Sequence, residues 1–205
     1  MRIGIDFDNT IACYDGVFHA AALEGGLIPP GLGRDKNSVR DHLNGSGRKD
    51  DFTELQGHVY GARMDMVALY PGFAEFVVAA KRVGHDLFIV SHKTMHPILG
   101  PKHDLHAAAR GFLAARGVVG HGPGEIEPSR VFFELTVDAK VARAAALRCD
   151  MFVDDLPEIL AMPGFPAGMR RILFDPDDRF AGVASDIEHA ERRKSWPAIA
   201  AELKL

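Results

Sequence analysis

The chain has 205 residues, 47% hydrophobic, 25% charged and 8% aromatic. That composition supports one substantial core with room for a small insert and excludes intrinsic disorder. Against 28 Asp and Glu stand 24 Lys and Arg, a net charge of −4 with no basic block, which argues against binding along a nucleic-acid duplex.

Cys13 and Cys149 lie far apart, in neither a CxxC nor a metal-finger spacing, so the chain reads as a protein of the reducing cytoplasm rather than a disulfide scaffold. Acids begin at Asp6, too early for a signal peptide. The longest apolar runs, such as residues 87–90, fall far short of the ~20 residues of a membrane span.

In chain order, an apolar run over 3–7 predicts the first strand. A helix over 16–25, a loop rich in Gly, Pro and charge over 29–51 and a helix over 51–69 follow, with Pro71-Gly72 as a turn. The remainder alternates: helix 72–83, strand 87–90, helix 103–116, strand 131–133, helix 138–148, strand 151–153, helix 156–162, strand 171–174 and helix 185–203. Continuous apolar strands separated by helices predict an α/β fold, a doubly wound parallel sheet of Rossmann type covered on both faces. The expected organisation is a core domain of residues 1–13 and 71–205 interrupted by a small helical insert of residues 14–70.

Polar residues gather where the predicted strands end, which is where parallel sheets hold ligands. The first strand runs into Asp6-Phe7-Asp8-Asn9-Thr10, and strand alternation puts Asp6 and Asp8 on one face. Two acids at that spacing suit a hard divalent cation with acid–base or nucleophilic work, although Asp-Asn-Thr also makes a plain capped turn. Ser91, in Val90-Ser91-His92-Lys93-Thr94, brings a hydroxyl that can donate to a phosphoryl oxygen or cap the next turn. Lys140 falls in a predicted first helical turn, where the macrodipole disfavours a cation by ~0.3–1 kcal/mol; the plainer alternative is a solvated lysine. Asp154-Asp155 ends the next strand, either as a second acidic pair or as the cap of the helix near Pro157. Together the carboxylates, hydroxyl and lysine compose a phosphoryl-transfer site with Mg²⁺ between the acids.

Over essentially its whole length the sequence resembles the haloacid dehalogenase (HAD) superfamily. The resemblance rests on the Asp-x-Asp-x-Thr opening at Asp6–Thr10, then Ser91, Lys140 and Asp154-Asp155 in that order. It implies that Asp6 is the nucleophile, forming an aspartyl-phosphate, and that Asp8 is the general acid–base. It further implies that Asp6, the Asp8 main-chain carbonyl and Asp154 bind Mg²⁺, with Asp155 a second acid near the metal. Ser91 and Lys140 would hold the phosphoryl group, with Asn9 and His92 beside them. A carboxylate at position 8 favours phosphatases and mutases over dehalogenases, because an alkoxide leaving group needs a proton and a halide does not. Relatives often carry Gly-Asp-x-x-x-Asp here, so the division of labour between Asp155 and Glu158 stays open.

The insert stands where the family places a helical cap, which implies a small phosphorylated metabolite as substrate. Arg34, Lys36, Arg40, Arg48 and Lys49 could read a second anionic group or simply solvate a loop. His92, His96, His103 and His106 could line the pocket mouth with Lys93 and Lys102, or have no role; a zinc site among them is disfavoured because no cysteine accompanies them. Trp196 reads as a packing anchor. The expected activity is hydrolysis of a phosphate ester; a phosphomutase and a catalytically idle binding protein are the alternatives, a receiver-type signalling domain being disfavoured by the order of its motifs. Homodimerisation stays open.

Overall fold

The computed structural model describes residues 1–181 and 190–205. In chain order the elements are β1 (Arg2–Ile5), β2 (Ala12–Cys13), α1 (Val17–Glu24), α2 (Lys36–Gly45), α3 (Lys49–Ala62), β3 (Ala68–Leu69), α4 (Phe73–Arg82), β4 (Asp86–His92) and α5 (Leu105–Ala115). They continue with β5 (Val131–Glu134), α6 (Val137–Ala146), β6 (Met151–Asp154), α7 (Pro157–Leu160), β7 (Arg170–Phe174), β8 (Ala190–Arg193) and α8 (Trp196–Glu202).

Six strands form one sheet in the order β5-β4-β1-β6-β7-β8, parallel throughout, as the apolar runs predict. The strand order departs in opposite directions on the two sides of β1, so the topological switch point lies at its carboxyl end. Gly4 makes this central position possible: a Cβ there would stand 2.5 Å from the Phe152 ring, so glycine is what lets β1 and the core approach. One core cluster packs Phe88, Val90, Phe152 and Leu173 with Val141 and Ala144 of α6. Another is aromatic, with Trp196 of α8 meeting Phe73 and Phe76 at 4.7 Å and Phe174 at 5.6 Å between ring centroids.

Several expectations need correction, among them the helix predicted over 51–69, which ends at Ala62 and gives way to strand β3 at Ala68–Leu69. Residues 190–193, predicted helical, form the edge strand β8; α8 begins only at Trp196. The signal was hidden because β8 is Ala-Glu-Arg-Arg, an edge strand whose charges pair with neighbours instead of being buried: Arg193 with Glu191 and Glu202, Arg192 with Asp175. Residues 185–189 of that predicted helix lie outside the described residues. The predicted loop over 29–51 contains the helix α2, whose N-cap Asp35 accepts from the Ser38 N–H at 2.9 Å and whose Val39 and Leu43, four residues apart, are buried.

The chain divides into two compact units. The first joins residues 1–12, 69–93 and 114–205, and contains the six-stranded sheet; the second joins 13–68 with 94–113. In the second unit Tyr14, Phe18, Phe52 and Tyr60 pack ring against ring. Gly57 and Gly61, one turn apart on α3, lie against Pro97 and His103, which is why residues 94–113, read from sequence with the core, cluster with the insert. Among the described residues no helix is long and apolar enough to cross a membrane.

Candidate active site

Beyond β1 the Asp6 N–H continues the ladder to Val153 O at 2.9 Å, and then the chain folds on itself. Phe7 O accepts from the N–H groups of both Ile11 and Ala12 at 3.0 Å. Asn9 has φ 57°, the left-handed conformation that Asn tolerates better than most side chains, and its N–H reaches Ala12 O at 3.0 Å. Trp196 Nε1 donates to Thr10 O at 3.0 Å, tying this turn to the aromatic core. Asp6 and Asp8 are thus presented by a closed, hydrogen-bonded turn.

Lys140 arrives from α6, which is capped by Thr136 Oγ1 accepting from the Ala139 N–H at 3.1 Å. Its Nζ stands 2.5 Å from Asp6 Oδ1 and 2.6 Å from Asp154 Oδ2, and the three side chains are only 4%, 6% and 0% exposed. Burial opposes the charge on Lys140, but Asp154 and Asp6 outweigh it and hold the ammonium above the ordinary lysine range. Burial pushes the Asp154 carboxyl up to about 7; Asp6 adds to the rise and Lys140 works against it. Asp154 Oδ1 also accepts from the Leu156 N–H at 3.1 Å, but Leu156 is itself the N-cap of α7 and that helix carries no side-chain cap bond, so the expectation that Asp154 caps it is not met.

Among the described residues, one group of metal-ligating side chains lies within reach of a common ion: Asp6, Asp154 and Asp155, with ligand oxygens within 4.8 Å of one another. With all three carboxylates ionised, as metal ligation requires, the single ammonium of Lys140 leaves this cluster two charges negative, and its donors are all oxygen. Both properties fit a hard dication. Glu158 is exposed on α7 and outside this group, so Asp155 is the acid placed beside Asp154.

Ser91 is buried at the end of β4, and Lys93, two residues on, is buried too, while His92 between them is exposed. That alternation separates His92 from Ser91, and among the described residues no hydrogen bond or ion pair joins it to the acids. Lys93, read from sequence as a pocket-mouth residue or as idle, instead pairs with Asp8: its Nζ lies 2.8 Å from Oδ2 and 3.0 Å from Oδ1. The period-2 argument that put Asp6 and Asp8 together could have found it, since Ser91 and Lys93 share a parity.

In the second unit the insert's cations divide. Arg40 pairs with Asp41, Arg48 pairs with Asp51 and donates to Leu27 O, and Arg34 and Lys49 are exposed. Lys36 differs: its Nζ donates to Tyr60 Oη at 2.7 Å and lies 5.3–5.9 Å from the ring centroids of Tyr14, Phe18 and Tyr60. His96 Nδ1 lies 2.9 Å from His103 O, a loop contact, and the histidines form no metal group among the described residues.

No protein-family model matches the sequence, and no curated protein matches it. Solved structures match over nearly the full length. A HAD family hydrolase from Deinococcus radiodurans R1 with bound phosphate and sodium has 17% identity and a TM-score of 0.63, over 98% of this chain and 94% of its own. A predicted phosphoglycolate phosphatase from Haemophilus somnus has 14% identity and a TM-score of 0.56, over 99% and 97%. A HAD-superfamily hydrolase from Ehrlichia chaffeensis has 15% identity and a TM-score of 0.55, over 99% and 95%. The chain has the HAD fold, in agreement with the parallel α/β sheet described above.

Proposed function

We infer that the protein is an Mg²⁺-dependent phosphatase that hydrolyses a small phosphate ester through an aspartyl-phosphate on Asp6. The observation that carries this reading is the buried Asp6–Lys140–Asp154 arrangement at the carboxyl edge of a parallel sheet. Burying three charges is costly, and a merely structural core position is served as well by apolar side chains of similar volume. A preorganised cation beside a carboxylate nucleophile is, in contrast, what phosphoryl transfer requires. The phosphate bound in the Deinococcus relative supports the choice of substrate class.

An Asp6 carboxylate oxygen attacks phosphorus, and the phosphorus–oxygen bond to the alcohol breaks with its electron pair passing to the ester oxygen. Asp8 gives that oxygen a proton. Water then attacks the phosphorus, Asp8 takes up its proton, and the bond to Asp6 breaks to release inorganic phosphate. Lys140 and Ser91 hold phosphoryl oxygens through these steps. Asp6, Asp154, Asp155 and the Asp8 main-chain carbonyl would hold Mg²⁺, which supplies charge neutralisation at the phosphoryl oxygens. Choice of the leaving group is assigned to the helices of residues 14–70.

The test is phosphate release from a panel of small phosphate esters with Mg²⁺. Release abolished by EDTA, by Asp6→Asn and by Asp8→Asn is the expected result. Interconversion of sugar phosphates without release would identify a mutase instead. Neither release nor phosphorylation of Asp6 by a reactive donor would overturn the reading.

A further inference from the structure

Lys93 has the burial of a core residue and the chemistry of a surface one. Its side chain is 3% exposed, and lysine is almost never so enclosed without a partner that requires it. Its main chain is pinned, because the Lys93 N–H donates to Glu134 O at 2.8 Å beyond the end of β4. Its Nζ lies 5.2 Å from the centroid of the Phe7 ring and meets both carboxylate oxygens of Asp8. The Asp8 side chain is 20% exposed on its turn, and the staggered rotamers of an aspartate point its carboxylate in different directions. A two-oxygen contact with a fixed ammonium selects one. The pairing parallels that of Asp6 with Lys140: each acid at the end of β1 has its own buried lysine, one delivered by β4 and the other by α6.

We propose that Lys93 is a positioning residue that holds the Asp8 carboxylate, through this two-oxygen ion pair braced on Phe7, in the orientation from which Asp8 serves the leaving group. The proposal rests on the phosphoryl-transfer reading of the site and goes beyond it by giving the acid–base residue a dedicated anchor.

Lys93→Met removes the charge and keeps an apolar stem against Phe7; Lys93→Arg restores a cation. Turnover is compared on the best alkyl phosphate of the panel and on p-nitrophenyl phosphate, because an alkoxide needs a proton and a nitrophenolate leaves without one. Lys93→Met should lower kcat on the alkyl ester by about 10²-fold, the effect expected of a displaced proton-transfer group, with KM little changed. The loss on p-nitrophenyl phosphate should be much smaller, and Lys93→Arg should recover most of the alkyl activity. Equal losses on both esters would reduce Lys93 to a structural role, and a raised KM with kcat intact would make it a substrate contact; either result overturns the proposal. A crystal structure of Lys93→Met gives a readout independent of turnover. A displaced or multiply oriented Asp8 carboxylate is expected, and an unmoved one refutes the anchor even if no ester is hydrolysed. An inactive wild type, by contrast, would count against the phosphatase reading alone.

Discussion

Replacing Lys140 by Met tests the electrostatics of the site without reference to any substrate. Methionine fills a similar volume but leaves Asp6 and Asp154, 6% and 0% exposed, without the ammonium that now stands 2.5 and 2.6 Å from their oxygens. Removing one partner from a buried ion cluster costs about 3–5 kcal/mol, and at about 2–4 °C per kcal/mol for a chain of this size Tm should fall by about 6–20 °C. The deficit should depend on pH with a definite sign. Burial and Asp6 place the folded-state pKa of Asp154 near 7, above the ordinary 3.8, so the native state binds more protons than the unfolded one, and stability falls as pH rises from about 4 to about 7. Lys140 opposes that rise; without it the folded-state pKa lies higher still, so the variant goes on losing stability above about pH 7, where the wild type levels off, and the gap between them widens there. Thermal melts followed by circular dichroism in EDTA at several pH values measure both effects. A fall in Tm of less than about 3 °C, which is about 1 kcal/mol, or a deficit independent of pH, would refute the argument.

Trp196→Phe keeps an aromatic ring in the cluster with Phe73 and Phe76 but leaves the carbonyl of Thr10 without its indole donor; a loss of about 1–3 kcal/mol in urea titrations is expected, and an unchanged midpoint would show the bond to be dispensable. Gly57→Ala would place a Cβ 2.5 Å from Pro97 Cβ, and the overpacking penalty of about 1–3 kcal/mol should exceed the roughly 1 kcal/mol gained in helix propensity. Faster amide exchange over residues 95–104 would show this. Burial raises the Cys149 thiol from 9.0 to about 11, so mass spectrometry after iodoacetamide treatment at about pH 8 should find Cys13, half-buried, alkylated well before Cys149. The same shift lowers stability as pH rises from about 9 to about 11, because the unfolded thiol ionises first.

Most of the sheet was legible in the sequence because its strands are buried on both faces. Ile3, Ile5, Leu87, Ile89, Phe152 and Val153 are apolar without interruption, and that pattern survives in one dimension. The acids at the ends of β1 and β6 were legible for the same reason, since the end of an apolar run marks the edge where ligands sit. Strand β8 and helix α2 escaped because neither announces itself by apolarity: one is held by ion pairs, the other by a cap and two buried residues amid polar ones.

What the residues decided alone was therefore local: element type, order, and which carboxylates, hydroxyl and lysine stand at strand ends. Tertiary structure decided the pairings. Lys140 meets an acid from β1's end and another from β6's end, Lys93 closes on Asp8, and Asp155 rather than Glu158 joins the acidic group. It also decided that residues 94–113 pack with the insert, through the close approach that Gly57 and Gly61 permit. The reason is that a charge is kept in a core by partners distant in sequence, and pattern along a chain carries no information about which distant side chains will share a dry space.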